Sequence, residues 1–280
     1  MKRAAWACVL LLAGCAAQEA EPLHTEVTTQ PAPDPFEGLD KEVAAIEKET
    51  GTEVGVALFD GSEMTQTGSL YALPSWSTIK IPIARAAVEH CDYGEEYVEE
   101  LTEASIKWSD NDSARTLWDC MGSDKEAGEK VRDEIAKSGS KVQVEGAFGT
   151  TSWSFPGQAR YAFYLSQQDE DDPVIMEMHH IAEDQSYGLG TLETVPFKGG
   201  WSDDETDGSW HTRQFGWFDG YGVAIGARSE DGSYDDTMDA LDKVAELLQL
   251  RLDELEEGLQ HRQHRQHSGD DADDLPGRRG

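Results

Sequence analysis

Positive charge is what this chain most lacks. Its 280 residues hold 23 Lys and Arg against 56 Asp and Glu, a formal net charge of −33 at pH 7. Nucleic acid needs a basic face to dock on, so the composition excludes it as a partner. The same charge removes electrostatic attraction to anionic lipid. The acid reads as a solvated shell that keeps the protein soluble, suited to saline surroundings. Long apolar runs are also missing, apart from Ala4 to Leu12, which is too short to cross a bilayer as a mature helix. Cysteine is scarce, and two of the four, Cys8 and Cys15, fall in the first fifteen residues. His179-His180 has no third ligand placed with it and reads as a surface pair. The repeat His261, His264 and His267 sits among Gln, Arg, Gly and Asp with no core residue. No metal and no cofactor is expected.

What is present begins with an export signal. Met1-Lys2-Arg3 is a positive n-region, Ala4 to Leu12 an apolar core, and Leu12-Ala13-Gly14-Cys15 has the small-residue character of a cleavage site. A cysteine directly after that site resembles the bacterial lipobox. The likeness implies a signal peptide over 1–14, cleavage before Cys15 and lipidation of its thiol and new amine. More than one acyl chain suffices for stable anchoring. Residues 16–35 carry no apolar periodicity and read as a flexible tether. The expected location is the extracytoplasmic side of a bacterial envelope membrane, held through Cys15. One domain over 36–257, expected to be a monomer, follows, and 258–280 reads as a disordered tail.

Periodicity gives a coarse order of elements. Leu39, Val43 and Ile46 make Leu39 to Thr50 an amphipathic helix. Thr52 to Phe59 alternates as a strand, with Met64 to Leu70 as its hairpin partner across Asp60-Gly61. From Trp76 to about Glu183 the signals are mostly helical, including Phe155 to Leu165 with Pro156 near its start. Val195 to Trp201, His211 to Phe218 and Tyr221 to Arg228 read as strands, the last two joined at Asp219-Gly220. Asp236 to Leu252 closes the domain as a helix with a Met238, Leu241, Val244, Ala245, Leu248 stripe. The fold class is α+β: an antiparallel five-stranded sheet with flanking helices and an inserted all-helical lobe.

Three short motifs stand beside these elements. Ser77-Thr78-Ile79-Lys80 opens an apolar helical run, Ser109-Asp110-Asn111 precedes another helix, and Lys198-Gly199-Gly200 lies in a strand. A serine hydroxyl is a poor nucleophile until a base takes its proton. Lys80, three residues on along a helix, shares a face with Ser77. Enclosed among apolar groups and near a second cation, its ammonium is disfavoured and the amine can act as that base.

In these motifs, in their order, and in Pro82 after Lys80 and Trp201 after Gly200, the chain resembles the penicillin-recognising serine hydrolases, and among them the class A β-lactamase group. The likeness runs from about Phe36 to Gln249. It implies that Ser77 is the acylated nucleophile and Lys80 its activating partner. Ser109 relays a proton to the leaving nitrogen, and Asn111 holds Lys80 and the substrate amide. Lys198 supplies positive charge near Ser109 and the substrate carboxylate. The backbone amides of Ser77 and Trp201, beside Gly200, form the oxyanion hole. Arg213, on the next strand, stands where related enzymes often keep a cation for that carboxylate. Cys91 follows the Ser77 helix and Cys120 lies on the helix after Ser109, and both helices flank the site in that fold. As the even pair left in an exported protein they are expected to bridge, the alternative being two buried thiols.

Two positions depart from the family pattern. Gly199 replaces a hydroxyl residue between Lys and Gly, which removes a hydrogen bond to the substrate carboxylate. The spacing for a deacylating carboxylate lands on Glu145, whose surroundings Val144-Glu145-Gly146-Ala147-Phe148 lack the family's Leu-Asn pair. Glu145 is therefore a hydrolytic base or simply an exposed acid. Three functions follow. The first is an envelope-anchored serine hydrolase acting on β-lactams or related amides through an acyl-enzyme. The second is a peptidase or amidase for D-amino-acid peptides of the cell wall. The third is a non-hydrolysing binding or sensor lipoprotein. The expected partner is thus a small-molecule or peptidoglycan-type substrate.

Overall fold

A computed structural model describes residues 35–270, with side chains to residue 255. The signal, Cys15 and nearly all of the tether lie outside the described residues, as do 271–280.

The chain opens with α1 (Leu39–Thr50), which buries Leu39, Val43 and Ile46 and ends at Gly51, whose φ of 70° closes the helix in the left-handed conformation. Then come β1 (Glu53–Phe59), β2 (Met64–Thr67) and β3 (Ala72–Pro74), and a 3₁₀ turn over Trp76–Ile79. The helical lobe holds α2 (Lys80–His90), α3 (Glu95–Lys107), α4 (Asn111–Asp119) and α5 (Asp124–Ala136). After a 3₁₀ turn over Phe148–Thr150 the chain forms β4 (Ser152–Ser154), α6 (Phe155–Leu165) and α7 (Pro173–Met178). It finishes with β5 (Phe197–Asp203), β6 (Trp210–Phe218), β7 (Tyr221–Ser229) and α8 (Tyr234–Asp270).

Five strands make one sheet in the order β2-β1-β7-β6-β5, every pair antiparallel. Strand alternation sorts its side chains into two cores. Val54, Val56 and Leu58 of β1 and Val223 and Ile225 of β7 pack with Leu39, Val43, Leu241, Val244 and Leu248 of α1 and α8. On the other face Ala57, Phe215 and Ala224 pack with Phe155 and Tyr161 of α6 and with Ile79, Ile83 and Trp118 of the lobe. That inner face is cut low so that α6 can sit close. A Cβ on Gly55 would come within 2.2 Å of the Phe155 ring, and one on Gly226 within 2.6 Å.

The expected α+β architecture is the observed one, with local differences. β2 stops at Thr67 because Gly68, at φ 91°, turns the chain so that Leu70 N–H donates to Val54 C=O. A separate ribbon, β3 with β4, pairs Ala72 with Ser154 and Pro74 with Ser152. Three residues per strand are too few to leave a periodic signal. The largest correction is at the C-terminus, where α8 continues to Asp270 instead of giving way to a tail at 258. Among the residues with described side chains its last buried one is Leu252, and the Glu, Leu, Gln and Arg of the sequence beyond it are good helix formers. Cys91 and Cys120 are joined by a disulfide that ties the end of α2 to the end of α4.

Candidate active site

The Ser77 segment is a strained turn bolted from behind. Trp76 has φ 46° without being glycine, a conformation that costs on the order of 1–3 kcal/mol and persists only where neighbours over-determine it. The neighbours are visible. Ser75 N–H donates to Thr151 C=O at 2.7 Å, and its hydroxyl reaches the Phe148 and Gly149 carbonyls at 3.1 and 3.3 Å. Thr78 Oγ1 donates to Ser75 C=O at 2.5 Å and accepts from Gln158 Nε2 at 2.9 Å. A 3₁₀ turn stacks residues i and i+3, so Ser77 and Lys80 lie on one side, with Lys80 N–H donating to Ser77 C=O. Ser77 itself stays half-buried.

Two buried lysines converge on Ser109. Lys80 Nζ donates to Ser109 C=O at 2.5 Å, to Asn111 Oδ1 at 2.8 Å and to Ser109 Oγ at 3.3 Å. Lys198 Nζ reaches Ser109 Oγ at 3.1 Å, Gly199 C=O at 3.0 Å and Gln185 Oε1 at 3.5 Å. With both lone pairs of Ser109 Oγ taken by lysines, its own proton is left to give away. Asp110, not Ser109, caps α4, accepting from Ser113 N–H at 2.7 Å. That cap leaves Ser109 at φ 57°, a second strained non-glycine residue.

Burial sets the electrostatics. It lowers the Lys80 pKa to about 8, and Asp110 partly offsets that. Lys198 is driven well below the ordinary lysine value, by burial first and by the Lys80 charge second. A base poised near neutrality is what proton abstraction from a serine requires.

β5 closes the site. A Cβ on Gly200 would lie 2.7 Å from Ser77 N and 3.0 Å from Ser75 O and Thr78 N, so only glycine lets this strand lie against the turn. The backbone of β5 thus runs directly beside the Ser77 amide, and Trp201 is its next residue. The structure therefore joins Lys80, Ser109, Asn111 and Lys198 in one hydrogen-bonded cluster and lays Gly200, with Trp201 next to it, against the Ser77 turn.

Two expected residues do not join them. Arg213 pairs across the ladder with Gly200 and shares the inner face of the sheet with Lys198 and Phe215, but its side chain runs beneath the Ser77 turn and not into the site. Wholly buried, it donates to the carbonyls of Leu73 (2.7 Å), Pro74 (3.1 Å) and Trp153 (3.0 Å) and to Gln158 Oε1. It is a strut beneath the Ser77 turn, which corrects its expected place beside a substrate carboxylate. Glu145 lies exposed on the segment between α5 and the Phe148–Thr150 turn. On the stretch that follows it, the carbonyls of Phe148, Gly149 and Thr151 accept from Ser75 of the Ser77 turn. Thr78, Gln158 and Gln185 escaped sequence reasoning, because uncharged side chains that bolt a turn carry no spacing signature.

No family model and no curated protein sequence matches this chain. Solved structures do. A class A β-lactamase from Bacteroides cellulosilyticus superposes with a TM-score of 0.65 at 15% identity, over 79% of this chain and 99% of that one. The TLA-1 extended-spectrum β-lactamase gives 0.60 at 17% identity, over 77% and 99%. The TLA-3 enzyme gives 0.59 at 16%, over 76% and 98%. The fold is that of the class A β-lactamases, across nearly the full length of each.

Proposed function

We propose that this protein is a serine hydrolase that forms an acyl-enzyme on Ser77 with β-lactam or related amide substrates. One observation carries the reading: the Ser109 hydroxyl is held between Lys80 and Lys198, next to a strained serine turn and a glycine strand. Binding alone needs no such set.

The chemistry follows from the groups. Neutral Lys80 takes the Ser77 proton as Oγ attacks the acyl carbon. The carbonyl electron pair moves onto oxygen, where the Ser77 and Trp201 amides receive it. Ser109 gives its proton to the leaving nitrogen and recovers one from Lys80. The C–N bond breaks and the ester on Ser77 remains. A second reading, an amidase or peptidase for cell-wall peptides, is favoured by exposed Glu145, since rapid β-lactam turnover needs a carboxylate set over the ester. Export and lipidation at Cys15 belong to the same proposal and place the reaction at a membrane surface. Replacing Cys15 with Ala should release the protein from the membrane fraction, and its retention there would refute the anchor.

The test is to treat the protein with a fluorescent penicillin and a chromogenic cephalosporin together. Covalent labelling with a stoichiometric burst and slow turnover supports acyl transfer. Neither labelling nor turnover with any acyl donor would leave only a binding role.

A further inference from the structure

Glu96, Glu99 and Glu103 recur at steps of three and four along α3 and so share one of its faces. Beside that face runs α7, with Pro173 and Met176, and the two helices bound a cleft of about 390 Å³. Two buried polar atoms in its walls are unmet. Thr102 lines the cleft at 1% exposure, and its Oγ1 makes no hydrogen bond. Glu177, on the α7 wall, has its Oε2 buried, again without a partner. Each such atom costs on the order of 1–3 kcal/mol until something bonds to it.

The charge in the cleft is unmet as well. Burial raises the Glu177 pKa, the Glu103 carboxylate raises it further, and His180 and Lys107 offset this only in part. Lys107 is already engaged, with Nζ bonded to Glu103 at 2.9 Å and 5.3 Å from the Trp108 ring. A metal ion does not suit the cleft. Among the described residues no group of three or more His, Cys, Asp and Glu side chains is placed to hold one. The acid is strung out along the helix instead, where one turn rises about 5.4 Å. The wall facing it is apolar, and Met176 is 42% exposed. Glu99 and Pro173 also line a neighbouring cleft of about 420 Å³ beside Tyr93, Val98 and Glu95, which lengthens the groove. Its occupant needs several positive centres separated by methylenes.

We propose that the α3–α7 cleft binds a linear aliphatic polyamine, with ammonium groups on Glu99, Glu103 and Glu177 and methylenes against Pro173 and Met176. One ammonium donates to Thr102 Oγ1, which answers the unmet hydroxyl. A free polyamine suits a cleft of this size better than a protein surface does, because the cleft admits a single aliphatic chain. None of these residues belongs to the Ser77 cluster, so the site stands whether or not Ser77 is acylated.

Isothermal titration calorimetry of the full chain with spermidine tests this, at about 0.15 M NaCl so that the general acidic shell is screened. Expected is saturable binding of one molecule per chain. Glu177→Gln should weaken it at least about tenfold and Thr102→Val at least about threefold, each having lost a hydrogen bond to a charged group. Glu129→Gln, which alters an exposed acid on α5, should change it by less than about twofold. Thr102→Val should also raise the melting midpoint of the unliganded protein, since it removes an unmet hydroxyl. MgCl2 at matched ionic strength should not displace spermidine. No binding, full displacement by Mg²⁺, or equal losses in Glu129→Gln and Glu177→Gln would overturn the site and leave only counter-ions on an acidic surface. Undiminished binding in both Thr102→Val and Glu177→Gln would overturn it too. A lysine-rich peptide that outcompetes spermidine and is weakened by the same variants would overturn the polyamine as the occupant.

Discussion

At the scale of single residues, the proposed acyl transfer makes Lys80 the group that sets the rate. Its pKa is lowered to about 8 chiefly by burial, and only the neutral amine can accept the Ser77 proton. Acylation should therefore rise with pH, about tenfold per unit below 8, and level off above it. A rate that is flat from pH 6 to 9 would remove Lys80 as the base. Lys80→Arg should not rescue, since guanidinium stays protonated throughout this range. Gly200→Ala is the second test. Its methyl group would press on the backbone at Ser77, Ser75 and Thr78, so β5 must retreat. Acylation should fall by about 10²–10³-fold, the loss expected when an oxyanion donor is misplaced. Normal labelling in Gly200→Ala would show that β5 forms no part of the hole. These residues were legible in the sequence because nucleophilic catalysis needs particular groups at particular spacings. Arg213 was misread for the opposite reason: it lies on the same face as Lys198, but the carbonyls of Leu73, Pro74 and Trp153 and the Gln158 amide hold its guanidinium beneath the turn, and backbone acceptors leave no trace in the sequence.

At the scale of elements, the proposed function gives the connection from α5 to α6 a part in acylation and none in turnover. It braces the Ser77 turn through Phe148, Gly149 and Thr151 while leaving Glu145 in solvent. Glu145→Gln should change slow cephalosporin turnover by less than about twofold, against the 10²–10⁴-fold of a working general base. A large loss with Ser77 labelling preserved would make Glu145 the hydrolytic base. The disulfide is the other element-scale device. Cys91 and Cys120 are 29 residues apart, and closing a loop of that size stabilises by about 3–4 kcal/mol in the chain-entropy model. Reduction should lower the melting midpoint by roughly 10 °C, and an unchanged midpoint would contradict a structural role. α1 and α6 were readable to their end residues because each has both an apolar stripe and a terminator or N-cap. The β3–β4 ribbon and the extension of α8 were not, the first being too short and the second reading as a tail from its polar His-, Arg- and Gln-rich sequence.

At the scale of the molecule, a net charge of −33 makes the folded state repel itself. Screening should help: the melting midpoint should rise between 0.01 and 1 M NaCl as the Debye length falls from about 30 to about 3 Å. A midpoint that falls would mean that surface ion pairs such as Lys137–Glu89 and Arg228–Glu53 outweigh the repulsion. The layered architecture was legible because a sheet with cores on both faces imposes alternation on β1 and β7 and stripes on α1 and α8. The most direct measurement of the central claim is where the acyl group goes. After reaction with the fluorescent penicillin or a fluorophosphonate, peptide mass mapping should find one adduct, on the peptide containing Ser77, and none in Ser77→Ala. An adduct elsewhere that survives in Ser77→Ala would contradict the account.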